Sequence, residues 1–101
     1  MQAIHLTDQN FKEALTGDVL VDFFAAWCGP CRQQSATIEA LDPGDIPANR
    51  RLVKVDVDEA PMAAAKFQVE AVPTLVRLKD GQEIRRVTGA QSAAELLALL
   101  Q

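Results

Sequence analysis

The run Leu20-Val21-Asp22-Phe23-Phe24-Ala25-Ala26-Trp27-Cys28-Gly29-Pro30-Cys31 decides how this chain is read. Its first part is almost continuously apolar, which suits a central strand covered on both faces. The residues from Cys31 to Leu41 read as a helix, stopped by Asp42-Pro43-Gly44. The chain's only two cysteines therefore stand three positions apart where a strand passes into a helix. Such a pair can exchange two thiols for one disulfide and so carry two electrons.

Outward from this run the pattern alternates. Gln2 to Leu6 reads as a short strand. Thr7 or Asp8 is placed to cap a helix carrying Phe11, Ala14 and Leu15, with Gly17 ending it. The central strand is expected over Val19 to Ala25, and Asp42 to Arg50 is expected to be a loop. Arg51 to Val57, rich in valine, reads as another strand, and Ala60 to Phe67 as a short alanine-rich helix. Thr74 to Leu78 and Glu83 to Thr88 read as two strands joined by Lys79-Asp80-Gly81-Gln82, whose Asp-Gly pair favours a hairpin. Ser92-Ala93-Ala94-Glu95 has the spacing of a capping box and opens a last helix with Leu96, Leu97, Leu99 and Leu100. The order βαβαβαββα demands an α/β fold, a mixed sheet with helices on both faces.

With 101 residues there is room for a single domain, 1–101, and an apolar share of 49% supplies a core. The formal charge of -4 and the absence of a basic cluster argue against nucleic-acid binding. No run approaches the length of a membrane span. Two cysteines are too few for a stapled secreted scaffold. The start, Met1-Gln2-Ala3-Ile4-His5, does not resemble a signal peptide. A soluble monomer in a reducing compartment, the cytoplasm, is the expectation.

The chemistry follows from the helix start. Unpaired backbone N–H groups and the positive end of the helix dipole favour an anion there. Cys28 is expected to have a lowered pKa and to be the more exposed sulfur, with Cys31 carried inward. Pro30 suits the first turn, where its missing N–H costs nothing. Gly29 is expected to allow a sharp bend and the close approach of another backbone. Cβ atoms three apart in a regular helix lie roughly 5–6 Å from each other, and a disulfide needs about 3.5–4.5 Å. Local freedom at the helix entrance closes that gap. Cys28 would attack a disulfide in a target protein, and Cys31 would then release the reduced target by attacking Cys28. Asp22, inside an apolar strand, would have its pKa raised by desolvation and could serve as the base for Cys31, with Lys54 in the neighbouring strand as its partner.

Competing readings are weaker. Structural zinc takes four ligands, and His5 is the only histidine available to join the two cysteines; no metal site is expected. Asp56, Asp58 and Glu59 lack a glycine-centred ligand loop and read as solvated acids. Trp27 reads as a partly exposed lid beside Cys28, His5 has no assigned role, and the last helix's leucines read as core.

Trp27 to Cys31, Ile4 to Thr7, Val21-Asp22-Phe23, Lys54 to Asp58, Val72-Pro73-Thr74-Leu75, Lys79-Asp80-Gly81 and Gly89-Ala90 together resemble the thioredoxin family over nearly the whole chain. The resemblance implies a thioredoxin fold: five strands in the order 1-3-2-4-5 and four helices. It implies Cys28 as nucleophile, Cys31 as resolving thiol, Asp22 as buried acid/base and Lys54 as the residue that tunes it. Pro73 would be cis and face the disulfide, Val72 would offer backbone groups to an extended substrate, and Trp27 and Gly89 would flank the docking surface. The implied activity is general protein-disulfide reduction. No cofactor is carried beyond the redox-active disulfide; electrons come from NADPH through a separate thioredoxin reductase. The chain departs from the family pattern at Phe24, Gln34, Ala36 and Thr37. Gln34 is a polar residue on the helical stripe of Cys31, Ile38 and Leu41. The last three departures motivate an alternative, a binding module dedicated to one partner with incidental redox turnover.

Overall fold

Strand β2 (Asp18–Phe24) lies at the middle of the sheet because it is apolar on both faces. The computed structural model describes residues 1–101. Val19, Val21 and Phe23 enter one core with Phe11, Ala63 and Phe67. Leu20 enters the opposite core with Ile38, Leu41, Leu96 and Leu100. Burial on both sides removes the polar alternation of a half-exposed strand.

Around it stand β1 (Ile4–Leu6), helix α1 (Gly29–Glu39), β3 (Arg50–Asp56), helix α2 (Pro61–Lys66), β4 (Thr74–Lys79), β5 (Gln82–Thr88) and helix α3 (Ala93–Leu99). The sheet order is β1-β3-β2-β4-β5. β3 runs parallel to β1 and β2, and β4 runs antiparallel to β2 and β5. The five-stranded mixed sheet in the order 1-3-2-4-5 is thus the one anticipated. Asp80 and Gly81 both take positive φ, 49° and 83°, between β4 and β5, as the Asp-Gly hairpin reading requires. The capping box on α3 is complete: Glu95 N donates to Ser92 Oγ at 3.1 Å and Ser92 N to Glu95 Oε1 at 2.9 Å.

The helix count needs correction: there are three α-helices. The first expected helix is a 3₁₀ segment, Phe11–Leu15, ended by Gly17 at φ +75°. Five residues cannot sustain an α-helix in isolation, and the proposed cap is used elsewhere. Asp8 accepts hydrogen bonds from Met62 N at 3.1 Å and Ala63 N at 2.9 Å. It therefore caps α2, whose own N-cap residue, Ala60, has no side-chain acceptor. A second 3₁₀ turn, Pro43–Asp45, occupies the expected loop.

The C-terminal end of α3 is met by two arginines. Arg77 Nη1 donates to Leu99 O at 2.7 Å, and Arg50 Nε donates to Leu100 O at 3.0 Å. Asp18 joins both guanidinium groups at 3.2 Å. The hydrogen bond from Arg77 lowers the Asp18 pKa, aided by the charge of Arg50 and opposed by burial. No helix is long and apolar enough to cross a membrane.

Candidate active site at the start of helix α1

The chain leaves β2 through a turn in which Cys28 N donates to Ala25 O at 3.2 Å. Cys28 then caps α1 in an extended conformation, φ -92° and ψ 117°, and its Sγ accepts from Cys31 N at 3.1 Å. A backbone donor of the helix start thus points at this sulfur. Cys28 and Cys31 form a disulfide with a Cα–Cα separation of 5.2 Å. Because Cys28 stands outside the helical geometry, the pair escapes the wider spacing of a regular helix. Cys28 is 5% exposed and Cys31 1%. The expected order holds, but both residues are nearly covered. Pro30 sits in the first turn as anticipated. Gly29 does not make the bend: the Ala25–Cys28 turn does. Gly29 lacks a positive φ, and a Cβ there would meet only Arg32 Nη2, at 3.9 Å.

A second segment faces the disulfide. The Val72–Pro73 peptide is cis, and Val72 O lies 3.7 Å from Cys28 Sγ. Pro73 O accepts from Gly89 N at 2.8 Å, joining this segment to the loop after β5. Gly89 has φ +92°, and the space a Cβ would fill is open. A side chain there would strain the backbone and stand out into the space before the loop. Trp27 is 70% exposed, and its Nε1 donates to Asp58 Oδ2 at 2.9 Å. A groove of about 260 Å³ runs between Trp27, Val57, Val69 and Val72. Asp58 is therefore a positioned acceptor. Asp56 is buried and accepts from Asp58 N at 2.9 Å, so it is not the solvated acid expected; it closes the turn after β3. No cluster of three or more His, Cys, Asp or Glu side chains converges anywhere in the structure.

Asp22 is fully buried, and neither carboxylate oxygen has a hydrogen-bond partner. Burial pushes its pKa up from 3.8 to about 7, against the pull of the Lys54 charge. Lys54 is its register partner on β3, so the two side chains leave the same face of the sheet. They form no ion pair. Lys54 Nζ donates to Ser35 Oγ and lies 4.4 Å from the centre of the Phe24 ring. That ring packs with Cys28 and Cys31, which links the Lys54 side of the sheet to the disulfide. Lys54 therefore acts on Asp22 through its field, and Ser35, which the sequence reading did not single out, holds it.

Gln34, flagged by its polar character on an apolar stripe, is buried and satisfied. Its Oε1 accepts from Gln91 N at 2.6 Å, and its Nε2 donates to Gln91 O at 3.2 Å. The mismatch was visible in the sequence, but the partner was not.

A vicinal pair of cysteines at a helix entrance, faced by a cis-proline segment on a mixed sheet of this order, defines a thiol–disulfide oxidoreductase of the thioredoxin fold. The family model described as Thioredoxin matches residues 2–101. The chain is 43% identical over 101 residues to a thioredoxin of Staphylococcus haemolyticus, covering 99% of this chain and 96% of that one. It is 38% identical over 96 residues to a thioredoxin of Chlamydia trachomatis, covering 94% and 92%. Among solved structures, a mutant thioredoxin from Halobacterium salinarum superposes with a TM-score of 0.81 at 30% identity, covering 98% of this chain and 88% of that one. A thioredoxin from Malassezia sympodialis gives 0.80 at 33% identity, covering 97% and 88%. The chain belongs to the thioredoxin family. Its activity is thiol–disulfide exchange as a protein-disulfide reductase, with the disulfide itself as redox centre. The family's general partners are disulfide-bearing proteins and a thioredoxin reductase.

Proposed function

We propose that residues 1–101 work as one monomeric thioredoxin domain, a general cytoplasmic protein-disulfide reductase with the following division of labour. In the dithiol form, the Cys28 thiolate attacks one sulfur of a target disulfide. The target S–S bond breaks, its second sulfur leaves as a thiolate and takes a proton, and a mixed disulfide joins Cys28 to the target. Cys31 then gives its proton to the Asp22 carboxylate and attacks Cys28 Sγ. The mixed disulfide breaks, the target's remaining sulfur is protonated, and Cys28–Cys31 is oxidised. One target disulfide has become two thiols; a thioredoxin reductase, using NADPH, returns two electrons. Lys54 tunes the proton affinity that burial gives Asp22. Val72 and Pro73 offer backbone to an extended substrate, while Trp27, Gly29, Pro30 and Gly89 form the surface around the sulfurs.

The observation that carries this reading is the Cys28 sulfur held at the helix entrance, 3.1 Å from the Cys31 amide. The dedicated binding module loses one of its motives, because Gln34 points into the fold and not toward a partner. With dithiothreitol as electron source, the protein is expected to reduce insulin disulfides and Cys28→Ser to lose that activity. Full activity in the serine variant would end the proposal. NADPH consumption in the presence of a thioredoxin reductase and insulin tests the recycling partner.

A further inference from the structure

We propose that Gln34 is a positioning residue for substrate docking, clamping the loop between β5 and α3 to the helix that carries the cysteines. The inference rests on the reading of the chain as a protein-disulfide reductase. Gln34 lies one turn beyond Cys31, on the stripe that also holds Ile38, and is fully buried. An apolar side chain would satisfy that stripe. Gln34 does something an apolar residue cannot: it answers both backbone groups of Gln91, accepting from the N–H at 2.6 Å and donating to the carbonyl at 3.2 Å. This is the pairing a neighbouring strand would supply, in a loop that has none.

The clamp continues to the sulfurs. Gln91 Nε2 donates to Gly89 O at 2.9 Å, and Gly89 N donates to Pro73 O at 2.8 Å. The carbonyl of the preceding Val72 lies 3.7 Å from Cys28 Sγ, and Cys28 is joined to Cys31 on the same helix as Gln34. A closed circuit therefore runs from α1 through both loops beside the disulfide and back to α1. A protein substrate must meet both loops at once. Releasing one adds loop conformations that cannot dock, and apparent affinity falls by the fraction of molecules still competent. A small disulfide that touches only the sulfurs does not depend on the loop.

The test is Gln34→Leu, assayed with insulin and with a small aromatic disulfide. If the docking-competent fraction falls to about a tenth, KM for insulin rises about tenfold. The insulin kcat and the rate on the small disulfide are expected to stay near the wild-type values. An unchanged KM, or an equal loss on both substrates, overturns the clamp while leaving the reductase reading intact. A wild-type protein that reduces neither substrate overturns the reading beneath it. Should the variant not fold, hydrogen exchange of the wild-type Gln91 amide decides. Slow exchange supports the clamp, and exchange at the rate of an unprotected loop contradicts it.

Discussion

Asp22 bears an energetic cost that the fold tolerates. A carboxyl group with no hydrogen-bond partner, buried beneath the cysteines' helix, keeps its proton to about pH 7 when the unfolded chain would lose it near 3.8. Well below pH 3.8 both states are protonated and the group adds no pH-dependent cost; stability is lost as pH rises toward about 7, and above that the loss is constant. The gap between 3.8 and about 7 corresponds to at most roughly 4 kcal/mol. Asp22→Asn is therefore expected to be more stable than the natural protein above pH 7 by about 2–4 kcal/mol and to lose the dependence between pH 4 and 7. Denaturant unfolding across that range measures it; parallel curves for the two proteins would show that Asp22 is not an abnormal acid. The acid's isolation was readable from its apolar neighbours in sequence. The separation of Lys54 from it was not, because Ser35, the group that holds Lys54, comes from a different element.

At the scale of elements, most of what could be read in the sequence was local. The hairpin between β4 and β5 is written in adjacent residues, Asp80 and Gly81, and the α3 cap in Ser92 and Glu95. The double-faced apolarity of β2 placed it in the middle of the sheet before any partner was known. What stayed hidden are polar contacts between distant segments. Asp8 looks like a cap for the segment beside it, yet it serves α2, up to 55 positions away. Gln34 and Gln91 are separated by 57 positions, and Arg77 and Asp18 by 59. Arg77 interrupts an apolar strand for a reason visible only when α3 lies across it. The misplaced cap has a measurable consequence. Asp8→Ala is expected to destabilise the protein by about 1 kcal/mol, as for other lost helix caps. The change is read in the denaturation midpoint, with amide exchange quickening in α2. Faster exchange confined to Phe11–Leu15 would return the cap to its neighbouring segment.

Over the whole molecule, the sheet order collects the site at one end. β2 delivers Cys28 from its C-terminal end, and β3 ends close by at Asp56, leading to the Asp58 that holds Trp27. β4, running the other way, begins there beside Pro73, and β5 finishes there at the Gly89 loop. The C-terminal edge of parallel strands is where open α/β sheets place their ligands. The antiparallel β4 brings the cis-proline segment to the same edge. The general shape of this site followed from the cysteine spacing and the family resemblance. Its internal bracing by Gln34 and Ser35 did not.

The exchange reaction depends on a sulfur anion being favoured at the start of α1. Titration of the reduced protein's Cys28 thiol, carried out in the Asp22→Asn background so that no second acid titrates beside it, tests this directly. With the Cys31 amide 3.1 Å from the sulfur in the oxidised form, a thiolate is expected to form about one to two pH units below the ordinary value of about 8.5. A pKa at or above that value would contradict it.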